Sequence, residues 1–352
     1  MTKTPPSHPR LRIAIAGVGS MGIRHLTKLL QRHDADVIAL ADPDAKAMAA
    51  ALQVVSEHRP DAALPRTFSD SEEMLRESNI EAVVIASPAD SHAALTLSAL
   101  TAGASVLVEK PLAPTVAECR MIVQMEEGPL EPRPRSRLPT VQVGHIERFN
   151  PAVRALLSEV RSGLIGGVRE VRAIRRGPAP QFDGRARLGA ALDLAIHDID
   201  IILEVMASMP TSVEGASGPT SVDARPEEWV RGSLAFANGA TAFVEAAWWP
   251  TSRVRSLVIS GEAGTLELDY MSQALYHVSP GGARNLSQVA TGDPLVRQHD
   301  AFIEAVRVGG RSPVPAVIGL RAVQVVTAVL DAARSATAVA FDRTNGRHSA
   351  RH

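Results

Sequence analysis

Leu11-Arg-Ile-Ala-Ile-Ala16, followed by Gly17-Val-Gly19-Ser20-Met21-Gly22, is the stretch that decides the fold. The first six residues form an apolar-rich run with the length and character of a strand buried on both faces. The next six fit G-x-G-x-x-G, and helical spacing follows from Ile23 to Arg32. Strand, glycine turn and helix in that order are the context in which this pattern cradles a dinucleotide. Gly17 permits the tight turn, Gly19 lets the main chain approach a pyrophosphate, and Gly22 lets the helix close on the strand. The first N–H groups of the helix, near Ser20 and Met21, then face the phosphates with partial positive charge.

Outward from this loop, residues 37–41 form a second strand ending on Asp42, 20 residues beyond Gly22. A carboxylate there accepts a hydrogen bond from a ribose 2′-hydroxyl and repels a 2′-phosphate. No arginine follows it directly, so the pattern favours NAD over NADP. The alternative is a turn residue before Pro43. Helices are expected near 43–55, 71–77 and 91–102, with strands at 82–86, 105–108 and 141–144. Strand and helix alternating at short spacing predict a doubly wound parallel sheet. Residues 127–140 hold four prolines and three arginines and read as a solvated loop.

The second half differs. Helical stretches at 151–161 and 191–206 are followed by alternating segments at 213–215, 229–236, 241–248, 255–260 and 265–270. Asn238-Gly239 is a hairpin signal. Long helices fill 295–336. The expectation is two domains, 1–143 with the parallel sheet and 144–352 as an α+β unit with a large, mostly antiparallel open sheet.

Composition narrows the functional classes. The chain has 352 residues, 45% hydrophobic and 21% charged, with a formal net charge of -1. That balance gives no overall attraction for nucleic acid or an anionic membrane. The single cysteine, Cys119, can form neither an intrachain disulfide nor a cysteine-rich zinc site, and no metal site is expected. The first ten residues hold no apolar signal core, and no run approaches the roughly 18 apolar residues of a membrane span. The expected location is the cytoplasm.

Two segments carry candidate chemistry. Glu109-Lys110-Pro111 follows the strand at 105–108, and the proline keeps Lys110 extended. Lys110 thus falls at the carboxyl end of a parallel strand, where such sheets bind ligands. An amine there exchanges a proton with a substrate hydroxyl. The alternative is a surface lysine paired with Glu109. On the helix 191–206, Asp193, His197, Asp200 and Glu204 fall on one stripe flanked by apolar residues on both sides. Such a seam faces a cleft or a polar network. Asp193 and His197 are i and i+4, and an imidazole suits proton transfer near neutral pH. A structural histidine is the alternative, and a metal pair lacks further ligands.

Taken together, the glycine loop, Ala86-Ser87-Pro88-x-x-x-His92, Glu109-Lys110-Pro111 and Asp193-x-x-x-His197-Asp198 resemble the Gfo/Idh/MocA family of oxidoreductases over nearly the whole chain. The resemblance implies a Rossmann domain, an α/β domain with a large open sheet, and homodimers or homotetramers built through that sheet. It implies that Lys110 and His197 handle a hydroxyl proton while hydride passes to nicotinamide. Asp193 would orient the histidine or the sugar, and Glu109 and Pro111 would shape the nicotinamide pocket. Ser87, Pro88 and His92 would lie along the cofactor. The segment Gly144-His-Ile-Glu-Arg-Phe-Asn-Pro151 and the stretch from Trp248 to Tyr270 resemble the branch that oxidises the 3-hydroxyl of UDP-N-acetylglucosamine or its uronic acid. Arg148 and Asn150 would then bind substrate phosphate or hydroxyls. For Asn150 a helix start at Asn-Pro, with Phe149 buried, is the alternative. The rival readings are an inositol or simple sugar dehydrogenase of the same family and a non-catalytic NAD-binding sensor.

Overall fold

The computed structural model describes residues 9–61, 63–128, 139–179, 188–218, 226–250, 252–286 and 292–341. The chain divides into two compact units. The first comprises 1–145 with 295–320, and the second 146–294 with 321–352. The expected boundary at 143/144 lies two residues from the observed one. The return of 295–320 to the first unit is a feature that a linear reading does not contain. The central part of the proline- and arginine-rich segment, 129–138, lies outside the described residues.

The first unit is built on β1 (Leu11–Ala16), β2 (Ala35–Ala41), β3 (Arg66–Phe68), β4 (Ala82–Ile85), β5 (Ser105–Val108) and β6 (Val141–Val143). They form one parallel sheet in the order β3-β2-β1-β4-β5-β6. The helices are α1 (Ser20–Leu30), α2 (Ala45–His58), α3 (Ser71–Glu77), α4 (His92–Thr101) and α5 (Val116–Glu127). Strands β4, β5 and β6 are buried throughout, which explains their continuous apolar runs. The α1 face carrying Leu26 and Leu29 packs in one core with Ile13, Ile15 and Leu40. Asp44 caps α2 through the N–H groups of Lys46 and Ala47, and Thr115 with Glu118 forms a capping box on α5.

The strand order reverses direction at β1, so crossovers leave β1 and β4 on opposite faces and open a crevice at the carboxyl ends of these strands. Hydrogen bonds continue the ladder past those ends. The Gly17 N–H donates to the Ala41 carbonyl (2.8 Å), Ala86 to Ala16 (2.8 Å), Glu109 to Ile85 (2.9 Å) and Gly144 to Val108 (2.7 Å). The residues that leave the sheet are therefore held in register with one another.

The second unit contains α6 (Pro151–Arg161), a π-helical turn (Ala191–Ala195) running into α7 (Ile196–Met206), and, after α8 (Pro294–Val308), which belongs to the first unit from Leu295 on, α9 (Ala316–Ser335) from Arg321 on. Its strands are β7 (Val168–Gly177), β8 (Ser212–Gly218), β9 (Trp229–Ala235), β10 (Thr241–Trp248), β11 (Val254–Gly261), β12 (Thr265–Asp269), β13 (Ala274–Ser279), β14 (Gly282–Asn285) and β15 (Val339–Ala340). They form a sheet ordered β14-β13-β12-β11-β7-β10-β9-β8-β15, antiparallel except for the β7–β10 pair. The Asn238-Gly239 signal is the β9–β10 hairpin, with Gly239 at φ +83.

Helix α9 presses directly on this sheet. A Cβ on Gly215 would lie 2.0 Å from the Val329 carbonyl, and one on Gly232 would meet the Val329 side chain at 3.0 Å. By length and hydropathy α9 is the one described helix apolar enough to cross a membrane, but half of its apolar window is buried inside the protein. On the opposite sheet face Arg172, Arg231 and Phe243 are exposed. Arg172 lies over the Phe243 ring (5.0 Å), Arg231 over Trp229 (5.3 Å), and Glu245 bonds both Arg176 and Arg231.

Candidate active site

Each sequence-predicted cofactor residue of the first unit follows the carboxyl end of a strand: Gly17 to Gly22 after β1, Asp42 after β2, Ser87 and Pro88 after β4, and Glu109 and Lys110 after β5. The glycine requirements are steric. Gly17 has φ +87, and a Cβ on it would lie 2.5 Å from the Ser87 nitrogen. A Cβ on Gly22 would lie 2.0 Å from the Gly17 carbonyl oxygen. Gly19 precedes α1, whose amino end has no side-chain cap and no acidic residue in its first turn. Its N–H groups and partial positive charge are left for an anion.

The contacts of Asp42 are those of the turn role that the sequence offered. Its Oδ2 accepts the Val18 N–H (2.8 Å), tying down the glycine loop, and its Oδ1 accepts the Asp44 N–H (2.9 Å) across the Pro43 turn. Each oxygen keeps a lone pair that a ribose hydroxyl can use. Asp44, two residues on, adds a second negative charge against a 2′-phosphate. The uncapped helix end, the loop with no room for side chains and this carboxylate together fit a dinucleotide.

Lys110 is half-buried, and its peptide bond to Pro111 is cis. The buried His92 bridges the two neighbouring turns, with Nδ1 2.7 Å from the Pro111 carbonyl and Nε2 3.0 Å from that of Ser87. Burial lowers the pKa of His92. Its place is structural support beneath Ser87 and Pro111. Glu109 is buried too. Burial would raise its pKa, but the hydrogen bond and charge of His25, then Lys110 and His92, outweigh that and hold it below the ordinary carboxylate range.

In the second unit Asp193 lies in the π-helical turn and His197 one turn later in α7, both half-buried. The π turn departs from 100° per residue, so the four-residue polar stripe is not continuous. It divides by function. Arg148 donates from Nε to Asp200 Oδ2 (2.7 Å), from Nη2 to Asp200 Oδ1 (2.8 Å) and from Nη1 to Glu204 (2.8 Å). Burial alone would lower the pKa of Arg148, and Asp200 and Glu204 raise it instead. Asp200 and Glu204 thus form the polar network, while Asp193 and His197 remain the candidates for chemistry.

These contacts change the reading of Arg148 and Asn150. The Arg148 guanidinium is engaged by two carboxylates of its own unit. The Asn150 side chain caps α6 through the Ala152 N–H (3.1 Å) and donates to Glu147 (3.2 Å) and the Tyr270 carbonyl (3.4 Å). For Asn150 the helix-start alternative is the one observed.

Two clusters are absent from the sequence reading. Arg175, buried on β7, bonds Asp198 (2.8 Å) and Glu147 (3.2 Å) and stacks over Tyr270 at 5.0 Å. Burial would lower its pKa, and the two carboxylates raise it. Its signal was phase: Arg175 shares the period-2 face of Val171 and Ala173, which are core residues. In the first unit, His25 falls at core spacing with Leu26 and Leu29 and contacts Glu109 and His299.

Comparison with known proteins agrees with this geometry. Residues 11–128 match the family model described as "Oxidoreductase family, NAD-binding Rossmann fold", and residues 153–267 match "GFO/IDH/MocA C-terminal domain". An inositol 2-dehydrogenase of Leifsonia xyli is 33% identical over 64% of this chain, and the match spans 61% of that relative's own length. The fold is shared with a UDP-N-acetylglucosamine 3-dehydrogenase of Acidithiobacillus ferrooxidans (TM-score 0.77, 23% identity, 93% of this chain and 99% of that one). It is also shared with an oxidoreductase of Agrobacterium radiobacter solved with NAD+, L-tartaric acid and magnesium (TM-score 0.77, 19% identity, 94% and 98%).

Proposed function

The chain belongs to the Gfo/Idh/MocA family of oxidoreductases, and from that premise we propose that it is an NAD-dependent dehydrogenase oxidising a secondary ring hydroxyl of a sugar or cyclic polyol. The observation that carries this reading is the coincidence at the carboxyl edge of the six-stranded sheet. The glycine loop, Asp42 and Lys110 leave three strands whose ends are hydrogen-bonded in register.

In this reading the α1 amino end and the glycine loop hold the pyrophosphate, and Asp42 accepts from the ribose. Bound NAD supplies the hydride acceptor, so the alcohol carbon loses hydride, the hydroxyl loses a proton, and a ketone and NADH result. The one hydroxyl proton goes to a single base, Lys110 Nζ or the imidazole of His197, the two groups that the family resemblance assigns to it. Asp193 orients the imidazole or the sugar. The exposed sheet face carrying Phe243 is the surface assigned to a homodimer or homotetramer. No nucleic-acid or membrane partner is assigned, and the expected location is the cytoplasm.

Two substrate classes fit. The Gly144–Pro151 segment favours a UDP-N-acetylhexosamine or its uronic acid. Inositol is favoured by the curated relatives, and the engagement of Arg148 by Asp200 and Glu204 supports that reading over the nucleotide sugar. The ratio of kcat/KM for UDP-N-acetylglucosamine to that for myo-inositol and free aldoses decides. A ratio far above one supports the nucleotide-sugar branch. A ratio far below one assigns the chain to the polyol or simple sugar group. An absence of NAD binding would overturn both.

A further inference from the structure

Beneath the Glu109-Lys110-Pro111 turn runs a buried line of three titratable side chains from three separate elements. Glu109 Oε1 lies 2.9 Å from His25 Nε2, and His25 Nδ1 lies 2.8 Å from His299 Nε2. Glu109 follows β5, His25 is in the middle of α1, and His299 is on α8. The two histidines are 0% and 1% exposed, so no solvent competes for these contacts. Glu109 is also wedged from behind, since a Cβ on Gly144 would lie 3.0 Å from its carboxyl carbon. The outer end of the line, His299, forms part of the wall of a cavity of about 470 Å³ with Lys28, Arg32, His33 and Asp34. His299 Nδ1 makes no hydrogen bond.

Placing a buried imidazole pair against a carboxylate has an energetic reason. An unpartnered buried carboxylate would take up a proton and lose its charge. His25 supplies the donor that keeps Glu109 ionised. Each short contact needs one hydrogen, so an ionised Glu109 fixes the hydrogen on His25 Nε2. The second gap is then filled from either side, by His299 Nε2–H with both rings neutral or by His25 Nδ1–H as an imidazolium. Burial, with the charges of His25, Arg32 and Lys28, pushes the pKa of His299 well down, so His299 backs the line as a neutral imidazole. The groups facing Glu109 are His25, Lys110 and His92.

We propose that His25, backed by His299, is a positioning residue for the proton-transfer turn: through its bond to Oε1 it fixes the Glu109 carboxylate, and so the net charge, beside Lys110. This rests on Lys110 being the residue that handles the hydroxyl proton. The logic is that of a carboxylate–imidazole pair orienting a reacting group, applied here through a neighbour in the chain.

The test compares wild type with His25→Phe, His25→Gln, His299→Leu, Glu109→Gln and Lys110→Ala. It records kcat and KM for NAD against pH, the NAD dissociation constant by calorimetry, and histidine side-chain NMR of uniformly labelled protein. His25→Phe is expected to lower kcat by about ten- to a hundred-fold, the scale of a misplaced site group, with a displaced pH profile and KM for NAD changed little. His25→Gln, whose amide still donates to the carboxylate, is expected to recover most of the rate. His299→Leu, which leaves the Glu109–His25 bond in place, is expected to lower kcat less than His25→Phe does.

In the spectra, a hydrogen-bonded imidazole N–H signal present in wild type should vanish in His25→Phe and change in Glu109→Gln. A folded His25→Phe with wild-type kcat and pH profile, alongside an inactive Lys110→Ala, would overturn the proposal and leave the functional reading standing. A wild type inactive on every substrate would overturn that reading instead. The imidazole signal then decides whether the Glu109–His25 bond exists, and its absence overturns the proposal. Should His25→Phe fail to fold, His25→Gln and His299→Leu carry the same comparison.

Discussion

The two sheets place functional groups in opposite ways. In the six-stranded sheet the main chain does the binding, so the requirements fall on consecutive residues. Gly17, Gly19 and Gly22 lie within one turn, and Asp42 and Lys110 each follow a strand end. In the unit of the nine-stranded sheet the helix carrying the candidate residues Asp193 and His197 is held by side chains far apart in sequence, with Arg175 joining Glu147 to Asp198 and Arg148 joining Asp200 to Glu204. A backbone-built site is written locally. A site built by ion pairing is written only in the fold.

Breaking each sheet's device sharpens the contrast. The largest effect is expected for Lys110→Ala, with kcat reduced about 10²- to 10⁴-fold, as for loss of a proton-transferring group, and NAD binding preserved by calorimetry. Retained turnover would remove Lys110 from its role. Next is Arg175→Leu, which strands Glu147 and Asp198 in a buried site. A loss of about 3–5 kcal/mol in urea-unfolding stability is expected, the scale for breaking a buried pair from one side. A loss below about 1 kcal/mol would mean that the cluster relaxes or hydrates, as exposed pairs do.

Gly22→Ala comes third. Its methyl would lie 2.0 Å from a main-chain oxygen, so α1 must shift. A cost of about 1–3 kcal/mol in stability, accompanied by weaker NAD binding, is expected from overpacking. Asp42→Ala should weaken NAD by about 1.5–3 kcal/mol, the scale of a hydrogen bond to a charged group, and narrow the preference over NADP. A wild type that prefers NADP would refute the reading of Asp42.

The smallest effect concerns pH. Glu109 has a folded pKa below its unfolded value. Its contribution to stability is therefore full above about pH 4–5 and is lost as pH falls through the folded value. Chemical unfolding of Glu109→Gln across the acid range should show a flatter slope than wild type. An equally steep slope would place the acid sensitivity elsewhere.

The sequence made the first unit legible because burial on both faces leaves apolar runs and because glycine requirements are steric. It made β7 illegible. Val168-Arg-Glu-Val-Arg-Ala-Ile-Arg-Arg-Gly177 carries five charged residues in ten, and a central strand is not expected to look like that. The strand tolerates them because one sheet face is exposed and Arg175, on the other, is paired. His25 and Arg175 share a lesson: a charged or titratable residue in phase with core positions signals a buried partner, and the partner's identity comes from tertiary structure. The stripe on 191–206 was legible as a polar seam. The division of that seam between Arg148's network and the Asp193–His197 pair was not, because it depends on a π turn and on an arginine 52 residues from Asp200.

The most direct test of the central claim is wild-type formation of NADH, followed by its near-ultraviolet absorbance, with NAD or NADP and a panel of inositols, free sugars and UDP-sugars, after removal of any bound cofactor. Substrate-dependent reduction of NAD in preference to NADP is the result expected. Firm NAD binding with no reduction by any ring hydroxyl compound in the panel would contradict the claim and favour a cofactor-binding sensor.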